Sequence, residues 1–132
     1  MNGVATYAWV AVGGGLGSVA RFWLTGWAAG LTGDWFPSQR FPWGTLAVNA
    51  LGCLVIGIVA GLVLTPARIG WHPDVRIFLM VGICGGFTTF SAFSLQTIEL
   101  LQGGDFGAAF GYVAGSVTLC LGATWAGMLL AR

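Results

Sequence analysis

The chain has 132 residues, of which 57% are hydrophobic and 7% charged, with a mean hydropathy of +0.87. A soluble domain usually carries about 25% charged residues, so this composition excludes a water-soluble enzyme and defines an integral membrane protein. The five basic residues, all arginines, stand against four acids and one histidine, a net charge of +1 that leaves no basic patch for nucleic acid.

A spanning helix takes about 20 residues, so four spans use up the length and no extramembrane domain is expected. The opening Met1-Asn2-Gly3-Val4 lacks the charged region of a cleaved signal peptide, and the first apolar run reads as a retained helix. That first span covers about 6–31 and contains Arg21. A loop marked by Gly33-Asp34, Pro37 and Arg40 follows. The second span, about 42–64, opens on Pro42, a residue suited to the first turn of a helix. After a loop with Pro66, Arg68, Pro73 and Asp74 comes an interrupted third span over about 75–101. Gly103-Gly104-Asp105 reads as a tight turn, and the fourth span runs over about 106–130. Even spacing and short loops imply one domain, an all-α bundle of four antiparallel helices.

Many of the 23 glycines recur at small-xxx-small spacing: Gly13/Gly17, Gly26/Gly30, Gly57/Gly61 and Gly107/Gly111/Gly115. In lipid such spacing lets helix backbones approach closely, and packing drives association. Four thin helices packed this way leave no central channel, so any aqueous path is expected between subunits of an oligomer. The arginines favour neither side strongly. Arg68, Arg76 and Arg132 fall on one side and Arg40 on the other, joined by Arg21 if it snorkels. A single topology and insertion in both orientations both remain open on charge alone.

Cys53, Cys84 and Cys120 lie in three separate apolar runs with no C-x-x-C pair, so neither a disulfide framework nor a zinc site is suggested. His72, between Trp71 and Pro73, reads as a surface-loop residue.

Polar groups inside spans are costly and point to function. Thr45, Asn49, Cys53, Gly57 and Gly61 share one face of the second span, and Tyr112, Ser116, Cys120 and Thr124 one face of the fourth. Asn49 offers two amide donors, or serves as interhelical glue. The third span reads Gly82-Ile83-Cys84-Gly85-Gly86-Phe87-Thr88-Thr89-Phe90-Ser91-Ala92-Phe93-Ser94. Two glycines followed by β-branched threonines favour a local loss of helix, tolerated at that depth only against protein or a cavity. The carbonyls so freed suit a small hard cation. Phe90 and Phe93, three apart, share a face, either as bundle packing or with electron-poor ring edges turned to an anion. The first span has no acid, and Glu99 is the single acid within any span, which argues against a proton-coupled small-molecule exporter. No nucleophile with a nearby base is present to suggest an enzyme.

These residues resemble the Fluc/CrcB family of fluoride channels over all four spans. Gly13-Gly14-Gly15-Leu16-Gly17-Ser18-Val19-Ala20-Arg21-Phe22 is similar to the family's Gly-rich first helix, Trp43-Gly44-Thr45-Leu46-Ala47-Val48-Asn49 to the start of its second, and residues 85–94 to its third-helix signature. The resemblance implies an antiparallel, dual-topology homodimer in the cell's inner (plasma) membrane. Two pores along the subunit interface would export fluoride passively and serve fluoride resistance. It implies that Asn49 presents its amide to fluoride and that Phe90 and Phe93, with Thr89 and Ser91 beside them, line the pores. Tyr112 and Ser116 would continue a polar track, Thr45 would support the second helix, and Arg21 would sit near a vestibule. The carbonyls of Gly85 and Thr88, with their symmetry mates, would hold a central structural sodium ion. Three positions depart from the family's pattern: Ala92 where threonine is frequent, Gln96 where glutamate is frequent, and Cys120 in place of a small hydroxyl residue. A proton-coupled small-molecule exporter, one half of a heterodimeric channel and a non-conducting assembly subunit are the alternatives; retention of Asn49, Phe90 and Phe93 favours the homodimer.

Overall fold

The computed structural model describes residues 3–32, 41–64 and 71–131. Gly33, Asp34, Pro37, Arg40, Pro66, Arg68 and Arg132 lie outside them, so the arginine balance across the membrane rests on sequence. The described residues form α1 (Gly3–Thr32), α2 (Trp43–Leu64), a third span in several parts, and α6 (Phe106–Leu130). The third span comprises α3 (Pro73–Arg76), a π-helical stretch (Ile77–Cys84), α4 (Gly85–Phe87) and α5 (Phe90–Gln102). Among the described residues, four segments are long and apolar enough to cross a membrane: Gly3–Ala28, Trp43–Val63, Pro73–Gln102 and Phe106–Leu130.

Capping chemistry sets the ends. Pro73 occupies the first turn of α3, where its missing N–H costs nothing. The exposed His72 precedes it and accepts the Asp74 N–H through Nδ1 at 3.3 Å. Pro42 precedes α2 and supplies its first carbonyl, which accepts the Leu46 N–H at 3.1 Å. At the α5–α6 turn, Gly104 adopts φ +78°, the left-handed conformation that glycine enters without penalty. This lets the Asp105 N–H reach back to the Leu100 carbonyl at 3.0 Å, while the Asp105 carboxylate caps α6 by accepting the Ala108 N–H at 3.1 Å.

The π-helical stretch was not legible in the sequence. Its wider coil carries the Gly85 N–H back to the Met80 carbonyl, five residues earlier. It also turns Phe78, Gly82, Ile83 and Gly86 toward α1. There glycine meets glycine: a Cβ on Gly13 would lie 2.9 Å from the Gly82 Cα, one on Gly86 would strike the Gly14 backbone, and one on Gly17 would strike the Ile83 carbonyl. The same contact joins α2 to α6, where Gly57 abuts the Thr124 backbone, Gly127 abuts Leu54, and a Cβ on Gly61 would stand 2.9 Å from the Met128 carbonyl. Alternate spans run the same way along the bundle, so α1 lies parallel to the third span and α2 parallel to α6. Gly26, Gly107, Gly111 and Gly115 use no such contact; a Cβ at each would meet nothing within 4 Å.

Little is fully buried within one chain. Among the described residues, Tyr112 of α6 and Val48 of α2 are the largest side chains that are. Phe22, Trp23, Phe106, Phe110 and Trp125 are exposed, an arrangement that hydrocarbon tolerates and water does not. The glycine contacts predict that Gly17→Ala and Gly57→Ala each destabilise the bundle by about 1–3 kcal/mol through overpacking. Gly15→Ala, whose Cβ would meet nothing, is expected to leave the thermal unfolding midpoint in detergent unchanged or higher.

Candidate functional site

The third span leaves helical geometry at two residues. Thr88 (φ −83°, ψ 155°) and Thr89 (φ −147°, ψ 111°) are extended between α4 and α5. The preceding glycines stay helical, so the β-branched pair, which loses most side-chain freedom in a helix, carries the interruption. The polar groups freed there find new partners. Thr88 keeps the helical bond of its N–H to the Cys84 carbonyl and adds its hydroxyl to the same oxygen, each at 3.0 Å. The Thr89 hydroxyl caps α5, accepting the Ala92 N–H at 3.2 Å.

Asn49 acts as a detached peptide group. Its Oδ1 accepts the Thr89 N–H at 2.8 Å and its Nδ2 donates to the Thr89 carbonyl at 3.1 Å. Of the two amide N–H groups expected from sequence to be available, one is thus spent on the backbone and one remains. From α1, the Ser18 hydroxyl (3.3 Å) and the Arg21 Nε (3.4 Å) both donate to the Gly86 carbonyl. Among the described residues, the Gly85 and Thr88 carbonyls, like that of Phe87, lose their helical donors without such a replacement. The Thr89 N–H that would serve Gly85 goes to Asn49, and the Ala92 N–H that would serve Thr88 goes to the Thr89 hydroxyl.

An aromatic run leads away from the interruption. The Phe90 and Phe93 rings are 5.3 Å apart between centroids, Phe93 and Tyr112 5.2 Å, and Phe41 meets Tyr112 edge-on at 5.6 Å. Phe90 is 78% exposed and Tyr112 wholly buried. The Tyr112 hydroxyl donates to the Gln96 Oε1 at 2.9 Å, with buried Thr45 beside it. Ser91 is exposed, 3.2 Å from the Thr89 hydroxyl. Ser116 is 7% exposed, and its Oγ has no hydrogen-bond partner, an expensive condition for a buried hydroxyl.

The glycine contacts also fix a register. Gly57 faces Thr124 and Gly61 faces Met128. Carried back one turn at a time on parallel helices, the same offset sets Cys53 against Cys120, Asn49 level with Ser116, and Thr45 against Tyr112. The two polar stripes read separately from the second and fourth spans are therefore a single seam.

The structure thus brings Thr45, Asn49, Thr89, Phe93, Tyr112 and Ser116 together around the interruption and the seam. Phe90 and Ser91 stand at its open edge, and Arg21 lies behind it, against Gly86. Sequence reasoning assigned no role to Ser18 or Phe41 and noted Gln96 only as a departure. Ser18 lies one turn before Arg21 and Gln96 one turn after Phe93, so helical spacing was the available signal for both. Among the described residues no cluster of three or more histidine, cysteine or acidic side chains is placed to hold a metal ion.

Four spans, with freed carbonyls at mid-span and a buried polar seam between two of them, define a multi-pass membrane protein. The family comparison gives that class a particular membership. Residues 8–128 match the family described as CrcB-like protein, Camphor Resistance (CrcB), and the chain belongs to it. It is 48% identical over 128 residues to a fluoride-specific ion channel FluC of Opitutus terrae, covering 97% of this chain and 93% of that one. It is 50% identical over 123 residues to the protein of that name in Nitrobacter winogradskyi (93% and 92% covered). The corresponding Rhodospirillum rubrum protein is 49% identical over 122 residues (92% and 91%).

Because Asn49 replaces two backbone partners at once, Asn49→Ala is expected to cost about 1–3 kcal/mol by stranding the Thr89 N–H in an apolar setting. Denaturant titration of the purified protein measures the loss. Asn49→Gln, which keeps the amide at a longer reach, should recover part of it.

Proposed function

We propose that this chain is a fluoride-selective channel, not an enzyme, that passes the ion down its electrochemical gradient along the seam beside the third-span interruption. The observation that carries the reading is the convergence of Asn49, Phe93, Tyr112 and Ser116 on one path. It is supported by relatives named as fluoride-specific ion channels at close to half identity along nearly the whole chain. Fluoride is small and strongly hydrated, so a narrow path must replace its water with donors. The chain offers the second Asn49 N–H, the unpartnered Ser116 hydroxyl, the Tyr112 hydroxyl once it turns from Gln96, and the edges of Phe90 and Phe93. Thr89 and Ser91 add hydroxyls beside the rings. Thr45 braces Tyr112. Arg21 spends its Nε on Gly86 and keeps the rest of its guanidinium to raise the local anion concentration. The inside-negative potential of the cell's inner membrane expels an anion by about 2.3 kcal/mol per charge per 100 mV, so no fuel is needed.

The functional unit in this reading is an antiparallel homodimer with a path along each side of the subunit interface. Three features support a second copy: the exposure of Phe90 and Ser91, the open glycine face of α6, and the freed carbonyls that no other described residue serves. The carbonyls of Gly85 and Thr88, doubled by a two-fold axis, suit a sodium ion. They are hard neutral oxygens, and residues 82–94 contain no carboxylate to recruit a divalent cation. Such an ion would hold the interruption open and join the two copies.

Efflux of fluoride from liposomes, read by a fluoride electrode, tests the function. Efflux that needs a potassium ionophore to release charge supports a channel. Electroneutral, pH-coupled efflux would indicate an exporter, and silence a subunit that needs a different partner. Phe90→Ile and Phe93→Ile are expected to lower flux at least about 100-fold while leaving a folded dimer, the scale on which one misplaced group costs a tuned site. Complete exchange of sodium for potassium should lower it as far. A second prediction addresses orientation: a tag at either terminus should be reached from both sides of the membrane. Reach from one side alone would rule out dual topology.

A further inference from the structure

The seam contains a feature that anion passage does not use. One turn beyond Asn49 and Ser116 the register set by Gly57 and Thr124 places Cys53 of α2 against Cys120 of α6. Both are half-buried and free, as is the buried Cys84, which neighbours Cys53 from the third span. The contact is rigidly placed. On the next turn Gly57 abuts the Thr124 backbone, so α2 and α6 have no room to close further and no side chain between them to hold them apart. Among the described residues no group of three candidate ligands is placed to hold a metal, which excludes the four-coordinate sites that zinc prefers. A pair of sulfurs suits a different class.

We propose that Cys53 and Cys120 form a two-sulfur site for a soft, thiophilic d10 cation that prefers linear coordination, the chemistry shared by Cu(I), Ag(I) and Hg(II). Two thiols facing each other across a fixed helix pair supply that geometry with a small change of side-chain rotamer. The residues next to the thiols along each helix, Gly52 and Leu54 on α2 and Leu119 and Leu121 on α6, carry no side-chain oxygen. Binding a divalent ion forms two metal–sulfur bonds and breaks two S–H bonds. The two protons pass to water, the assembly stays neutral, and neither sulfur nor metal changes oxidation state. Neutrality favours the bridged form of the divalent ion at a depth where a net charge is costly, whereas a monovalent ion between two thiolates leaves one negative charge there. The site would staple α2 to α6 one turn from Asn49.

Mercuric ion is the probe, added to the full-length protein in detergent and read by the near-ultraviolet thiolate-to-mercury absorption. Loss of an outer-sphere partner alone costs a metal site about 10–100-fold in affinity, so Cys53→Ser and Cys120→Ser are each expected to weaken binding at least about 100-fold. Cys84→Ser should retain wild-type affinity. Gel filtration checks the fold of each variant, and X-ray absorption on the wild-type chain counts the ligands without any substitution. Two sulfurs about mercury, kept in Cys84→Ser, support the site. One sulfur or three, or undiminished binding by Cys53→Ser or Cys120→Ser, would overturn it. Because the readout is spectroscopic, its failure is separate from any failure of fluoride conduction.

Discussion

Everything in this structure answers to one constraint: in hydrocarbon there is no water to satisfy a backbone N–H or C=O that leaves the helix. The third span nevertheless leaves helical geometry at Thr88 and Thr89, and the surrounding residues are chosen to manage the consequence. Asn49 stands in for a peptide group at Thr89, Ser18 and Arg21 hold the Gly86 carbonyl, and the Thr89 hydroxyl caps the helix that resumes. Each unpaired group would cost several kcal/mol in lipid, so these side chains are as much part of the fold as of the site. Among the described residues, the carbonyls of Gly85 and Thr88 are left without such a partner.

Close backbone approach is the second determinant, and it follows from the same solvent. Apolar side chains gain nothing by leaving lipid for protein, so helices associate through packing and small residues. Gly13, Gly17, Gly82 and Gly86 bring α1 and the third span into contact, and Gly57, Gly61 and Gly127 do so for α2 and α6. The first contact places Ser18 and Arg21 within reach of the Gly86 carbonyl. The second sets the register of the seam and hence the neighbours of Tyr112 and Ser116. A site of hydroxyls, amides and ring edges is positioned by residues that carry no side chain at all.

Composition and spacing by themselves determined the membrane class, the four spans, the loop position of His72 and the exceptional character of residues 85–94. These are readable because lipid imposes a length and an apolar content on each segment, and because a glycine pair followed by threonines is locally poor helix. They also marked Thr45, Asn49, Tyr112 and Ser116 as costly polar residues on helical faces. Only the tertiary structure decided what those faces meet. The π-helical turns from Ile77 to Cys84 carry no composition signal, because their wider coil is selected by the glycine contacts with α1. One of the Asn49 donors is consumed by Thr89, which spacing within a single helix cannot reveal. The pairing of Tyr112 with Gln96, of Ser18 with Gly86 and of Cys53 with Cys120 depends on interhelical register, and register is set by where two backbones can touch, a property of pairs of helices that no single stretch of sequence contains.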